Sequence, residues 1–164
     1  MAGLKTLIVD DEPVARRVLR EELEQHDDLT IVGEAEDGLS ALNAINTLQP
    51  DLVFLDIQMP ALSGFDVIHR LQPARHIPAI VIVTAWDQHA IQAFEAGAID
   101  YLLKPVARSR LDQAVDRARK TLQLSRRRCR TPRCNSGGNP AGTRLKNAPD
   151  CREKRWRVPL PQRR

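Results

Sequence analysis

The chain has 164 residues with 25 basic and 21 acidic side chains, enough for one α/β domain with a sizeable core plus an extension, but not for two full domains. Its formal net charge of +4 combines unlike parts: residues 125–164 hold 13 Lys and Arg against 2 acids, net +11, and residues 1–124 hold 12 against 19, net −7. No apolar run reaches the roughly 18 residues of a membrane span and no charged-then-apolar leader opens the chain, so a cytoplasmic protein with reduced thiols and no membrane contact is expected.

The first apolar run, 4–9, ends at Asp10 and Asp11, and Glu12-Pro13, an acid before a proline, opens a helix. A second run, 29–32, precedes Asp37-Gly38 and a stripe of Leu39, Leu42, Ile45 and Leu48 at helical spacing. The third, 52–55, runs straight into Asp56, and the next helix waits for Ser63-Gly64 with Phe65, Ile68 and Leu71, so the Asp56 carboxylate caps nothing. Run 79–83 ends at Thr84, ahead of a helical apolar stripe of Ile91, Phe94 and the alanines around Gly97; run 101–103 ends at Lys104-Pro105, ahead of a last stripe of Leu111, Val115, Ala118 and Leu122. These strands lack polar alternation, as strands covered on both faces do. Five β-α units joined by short loops predict a parallel sheet with right-handed crossovers.

Past Leu124 the pattern stops. Residues 125–164 contain five prolines, three glycines, six apolar residues besides cysteine, and no stripe of either period. Such a segment buries too little to offset its chain entropy and is expected to be a disordered basic tail, 125–164, behind a domain at 1–124. All three cysteines, Cys129, Cys134 and Cys151, lie there, which leaves the domain without a disulfide framework.

The polar residues gather at one predicted rim. Asp10 and Asp11, Asp56, Thr84 and Lys104 each follow a strand, and in an open parallel sheet the strand carboxyl ends bind ligands where strand order reverses. Taken singly, the acids at 10–12 read as complements to a helix dipole, Thr84 as a turn hydroxyl and Lys104 as a solvated cation. Taken together they describe a site. Converging carboxylates repel unless a cation neutralises them, and a hard divalent ion such as Mg²⁺ suits oxygen ligands. Lys104 is a point charge for a phosphoryl oxygen, and Asp56 a nucleophile able to accept the phosphoryl group.

The segments "LIVDDEP", "DLVFLDIQMPALSGFDVI", "IVIVTAWD" and "AFEAGAIDYLLKPV" resemble the receiver domain of bacterial two-component response regulators over about residues 3–122. The resemblance implies a flavodoxin-like sheet of order 2-1-3-4-5 with helices on both faces and a cis peptide before Pro105. It also implies that Asp56 is the phosphoacceptor for a sensor histidine kinase or small phosphodonor, a stoichiometric acceptor and not an enzyme. Mg²⁺ is then bound by Asp11, Asp56 and the backbone carbonyl of Gln58, with Asp10 acting through a water. Lys104 contacts the phosphoryl group. Thr84 and Tyr101 form the switch, which reports through the fourth helix, fifth strand and fifth helix, a surface that also serves for homodimers. "AFEAGAIDYLLKPV" is similar to receivers that precede a LytTR DNA-binding domain, whose output is transcriptional, yet nothing after Leu124 reads as that β-rich domain.

Three rival readings remain. An aspartyl-nucleophile phosphatase would want an acid two residues past its nucleophile, whereas Asp56 is followed by Ile57 and Gln58. The tail could bind nucleic acid weakly and without sequence preference, through its net charge. A metal site from Cys129, Cys134 and Cys151 has irregular spacing and no histidine nearby.

Overall fold

A computed structural model of the chain describes residues 3–71 and 77–129. The apolar runs form β1 (Leu4–Val9), β2 (Leu29–Ala35), β3 (Leu52–Leu55), β4 (Ala79–Thr84) and β5 (Asp100–Leu103). They assemble into one five-stranded sheet in the order β2-β1-β3-β4-β5, every neighbouring pair parallel. Between and after them lie α1 (Pro13–Leu23), α2 (Gly38–Leu48), α3 (Gly64–Leu71), α4 (Ala90–Glu95) and α5 (Arg108–Cys129). The expected α/β order is thus the observed one.

Alternate strand residues feed two cores, as the two-residue period of a strand requires. Leu7, Val9, Val53, Leu55, Ile80 and Ile82 face one side, where Ala41 and Ile45 of α2 and Val67, Ile68 and Leu71 of α3 cover them. Ile8, Leu52, Phe54, Val81 and Val83 face the other, under Leu19 and Leu23 of α1 and Leu111, Ala114, Val115 and Ala118 of α5. Each fully buried aliphatic or aromatic side chain contributes about 1.5–3 kcal/mol, so the wholly buried β3 and β4 carry more of the fold than β2, where only Ala35 is buried. The edge strand β2 also slips register against β1, with Thr6 opposite Ile31 and Leu7 opposite Gly33.

Some expectations need correction. β2 continues to Ala35 past the expected end at Val32, because pairing with β1 persists through Gly33 and Glu34 although the apolar run does not. Leu39 is 52% exposed, since α2 turns Gly38, Ala41 and Ile45 to the sheet. Ile91 and Phe94 also point outward, 77% and 50% exposed, while Ala93 is fully buried. α4 has only six residues, and Ala93 is the one it buries fully, with partly buried Ala90 packed beside it against the core. α5 runs to Cys129, five residues past the change of composition after Leu124. The rest of the basic tail, with Cys134 and Cys151, lies outside the described residues, as do its expected disorder and nucleic-acid contacts. Among the described residues no helix is long and apolar enough to cross a membrane.

Candidate functional site

β1 is the point where strand order reverses, since β2 lies on one side of it and β3 on the other. Val9 pairs with Leu55, so Asp10 and Asp56 leave the sheet side by side, and the Asp56 N–H still donates to the Val9 carbonyl at 2.9 Å. Both residues are buried, at 2% and 5% exposure. Each solves its local turn in the same way: Asp10 Oδ1 accepts from the Glu12 N–H at 3.0 Å, and Asp56 Oδ1 from the Gln58 N–H at 3.2 Å. A carboxylate closing its own turn two residues on is a common use of aspartate, and it leaves the second oxygen of each group free to face the other.

Lys104 takes those second oxygens. Its Nζ lies 2.5 Å from Asp10 Oδ2 and 2.7 Å from Asp56 Oδ2, and its backbone N–H is tied to the Thr84 carbonyl at 2.8 Å. The Lys104-Pro105 peptide is cis, as expected. Burial alone would lower the Lys104 pKa, but hydrogen bonds and charge from Asp10 and Asp56 outweigh it and raise the group above an ordinary lysine. For Asp10 the balance goes the other way: burial raises its pKa despite the bond and charge of Lys104.

Asp11 completes the cluster from the exposed side. Ligand oxygens of Asp10, Asp11 and Asp56 lie within 4.8 Å of one another, beside a depression of about 330 Å³ lined by Asp11, Asp56, Gln58, Thr84, Trp86 and Lys104. Three carboxylates against one ammonium leave an excess of negative charge, and the Thr84 Oγ1 is buried there without a hydrogen-bond partner. An all-oxygen donor set with surplus anionic charge fits a hard divalent cation such as Mg²⁺.

The loop after Asp56 folds back hard on itself. Gly64 donates to the Ile57 carbonyl at 2.9 Å, and a Cβ at position 64 would fall 2.3 Å from the Asp56 carbonyl oxygen. Glycine is therefore required there by close approach, which Ser63-Gly64 as a helix start does not announce. Ser63 does serve α3, through its hydroxyl bond to Asp66 at 2.7 Å. Glu12, by contrast, makes no side-chain cap on α1.

Tyr101 stands apart from the acids. Its ring is 9% exposed within the core beside α4, and its hydroxyl donates to the Trp86 carbonyl. The rim therefore gathers Asp10, Asp11, Asp56, Gln58, Thr84 and Lys104, with Tyr101 linked to it through Trp86. Sequence reasoning missed Trp86, 44% exposed, whose only signal is its place two residues past Thr84. It also missed Asp100, 1% exposed, which joins β5 to α5 by accepting from Arg117 at 2.9 Å.

Comparison with known proteins accords with this geometry. Residues 6–116 match the family model described as the response regulator receiver domain. The chain is 50% identical over 116 residues to the transcriptional regulatory protein BtsR of Salmonella typhi, covering 71% of this chain and 48% of that protein. It is 47% identical over 122 residues to an uncharacterized response regulatory protein of Vibrio parahaemolyticus, covering 74% and 50%. The chain thus spans about half the length of these curated relatives. Among solved structures, the response regulatory domain of protein mrkE from Klebsiella pneumoniae superimposes with a TM-score of 0.69 at 36% identity, over 74% of this chain and 99% of that one. The receiver domain of NarL from Mycobacterium tuberculosis does so at 0.68 and 30%, over 73% and 98%. A family match over two-thirds of the length, on a sheet whose switch point carries the acids, leads to one conclusion: the chain belongs to the response regulator receiver family of two-component systems.

Proposed function

We propose that this protein is a phosphorelay acceptor in which Asp56 takes a phosphoryl group from a sensor histidine kinase or a small phosphodonor. One observation carries the assignment: Lys104 bridges Asp10 and Asp56 at 2.5 and 2.7 Å, with Asp11 beside them. Asp56 is the buried carboxylate reached from the open depression, and its Oδ2 is the nucleophile. As its bond to phosphorus forms, the bond to the donor nitrogen or oxygen breaks and the leaving group departs with that electron pair. Lys104 offers its ammonium to the phosphoryl oxygens, and Thr84 its unpartnered hydroxyl.

Receiver domains bind Mg²⁺ at an acidic pocket. Here Asp11, Asp56 and the backbone carbonyl of Gln58 would hold it, with Asp10 through a water; bound there, it supplies charge neutralisation for the transfer. The chain's own part is to hold the two buried carboxylates side by side and to keep Lys104 charged between them. The protein is a stoichiometric acceptor and not a turnover enzyme.

Thr84 and Tyr101 form the switch. The Thr84 hydroxyl has a bond to gain on phosphorylation, and Tyr101, packed inward, is the group whose position it biases. A few kcal/mol of differential contact is enough to shift such an equilibrium. The signal leaves through α4, β5 and α5, which would also form the homodimer surface. Since relatives are named transcriptional regulatory proteins, the output is taken to be transcription, in the LytTR class that the sequence resembles. Residues 1–124 act as the receiver; the basic tail adds at most weak, salt-sensitive DNA contact.

Incubation of the full chain with acetyl phosphate and Mg²⁺ should add a single phosphate by intact mass, and Asp56→Asn should abolish it. Persistent labelling of that variant would place the acceptor elsewhere.

A further inference from the structure

Arg16 occupies a position that helix chemistry disfavours. It sits in the second turn of α1, near the positive end of the helix dipole, where a cation is unfavourable, and α1 has no acid in its first turn to balance it. Its side chain is nevertheless only 14% exposed. Helical side chains lean toward the N-terminus, and Arg16 does so: its Nη1 donates to the Asp10 carbonyl at 2.6 Å. Its Nε meets Glu34 Oε2 at 3.3 Å. The other Glu34 oxygen takes Arg20 at 2.6 Å.

The contact falls on an informative bond. β1 ends at Val9, so the Asp10 carbonyl has left the sheet ladder and needs another donor. That carbonyl belongs to the peptide joining Asp10 to Asp11. The Asp10 N–H is already held by the Ala35 carbonyl at 3.1 Å, and the Asp10 carboxyl by Glu12 and Lys104. Arg16 supplies the remaining restraint, and it orients the plane from which exposed Asp11 projects.

We propose that Arg16, tethered to β2 by Glu34, is a positioning residue for the Asp10–Asp11 pair, and that it sets divalent-cation affinity at the rim. This rests on the reading of Asp11 and Asp56 as Mg²⁺ ligands. A positioning role and a simple charge effect have opposite signs. As a nearby positive charge, Arg16 repels a cation, and its loss would tighten binding; as a positioner, its loss weakens binding.

Titration of the full chain with MgCl₂ by calorimetry, at physiological ionic strength and well below each variant's metal-free melting temperature, separates the two. Both Arg16→Ala and Arg16→Lys should raise the Mg²⁺ Kd, by about tenfold, the usual cost of losing a residue that orients a metal ligand. Lysine keeps the charge but cannot reach the Asp10 carbonyl and Glu34 together. Arg17→Gln, which removes the same charge from the exposed neighbouring position on α1 without touching Asp10 or Glu34, should leave Kd unchanged. Should Arg16→Ala fail to fold, Arg16→Lys and Glu34→Gln carry the test, the latter with a smaller rise. Unchanged or tighter binding in the Arg16 variants overturns the positioning role alone. A wild-type chain that takes up no Mg²⁺ overturns the metal reading and this inference with it.

Discussion

The two halves of the rim are built differently. On the β1–β3 half, Asp10 has its N–H, its carbonyl and both carboxyl oxygens engaged, and Asp56 has its N–H and both carboxyl oxygens engaged. On the β4–β5 half, the Thr84 hydroxyl is buried without a partner, and the neighbouring α4 packs through small side chains, with Ala93 alone fully buried. The first half is fixed before any ligand arrives, which suits a group that must present a nucleophile and bind a cation. The second has an unmade bond and little packing to lose, which are the properties of an element that moves. On the proposed function, binding and signalling divide along the sheet, and substitutions on each half test that division.

The largest effect is expected from Lys104→Ala, which removes the cation bonded to both buried carboxylates. Phosphorylation by acetyl phosphate should slow by about 10²–10³-fold, followed by intact mass over time. Without metal the variant should also lose about 3 kcal/mol of stability at neutral pH, because two buried charges lose their partner; added Mg²⁺ should restore much of that in a urea melt.

Ala93→Leu tests the lightly held half. Overpacking the one buried side chain of α4 should cost about 1–3 kcal/mol, whereas Ile91→Ala and Phe94→Ala should stay within about 0.5 kcal/mol. Equal costs at all three positions in chemical denaturation would show α4 to be anchored more firmly than its burial implies.

A pH series addresses the fixed half. Burial raises the Asp10 pKa in the folded state, so the native protein holds this proton more tightly than the unfolded chain does. The group's contribution is then fully present below the unfolded value of about 3.9 and is lost as pH rises through the folded value. In EDTA, Asp10→Asn should therefore melt higher than wild type at neutral pH, with the difference shrinking in acid. An Asp10→Asn protein less stable than wild type at neutral pH would mean that the Lys104 bond outweighs burial.

A smaller effect belongs to the loop after Asp56. Ala61 has φ of +66°, a left-handed conformation that costs an L-residue about 1–2 kcal/mol relative to glycine. Ala61→Gly should raise stability by up to about 1 kcal/mol, after the added chain entropy of glycine, without altering phosphate uptake.

Much of this was legible in the sequence, for physical reasons that can be named. Strands buried on both faces must be apolar without interruption, which made the core runs visible, and Asp56 stood out because no helix follows closely enough for it to cap. The inward face of α4 was misread because Ile91 and Phe94 carry the stronger hydrophobic signal, while the seat is an alanine. The end of β2 was missed because Gly33 and Glu34 break the apolar run although the backbone pairing continues. Arg16 and Asp100 could not be found by pattern: each is defined by a partner brought near by the crossover topology, Glu34 for one and Arg117 for the other. Their only local trace is a cation near the positive end of α1 and an acid opening an otherwise apolar strand.

The closeness of Lys104 to Asp56 has a chemical consequence beyond charge balance. An aspartyl phosphate is an acylating agent, and a neutral amine 2.7 Å from that carboxyl would attack its carbonyl carbon, expel phosphate and weld the two side chains into an isopeptide. The neighbouring carboxylates raise the Lys104 pKa, keeping its lone pair occupied by a proton and the amine non-nucleophilic. Prolonged phosphodonor treatment at strongly alkaline pH should expose the hazard as a species one water lighter than the unmodified chain. If Asp56 is phosphorylated as proposed, its own carboxylate is consumed, and Asp10, 2.5 Å from the Lys104 ammonium, is the acid that remains to hold that proton and protect the mixed anhydride at neutral pH.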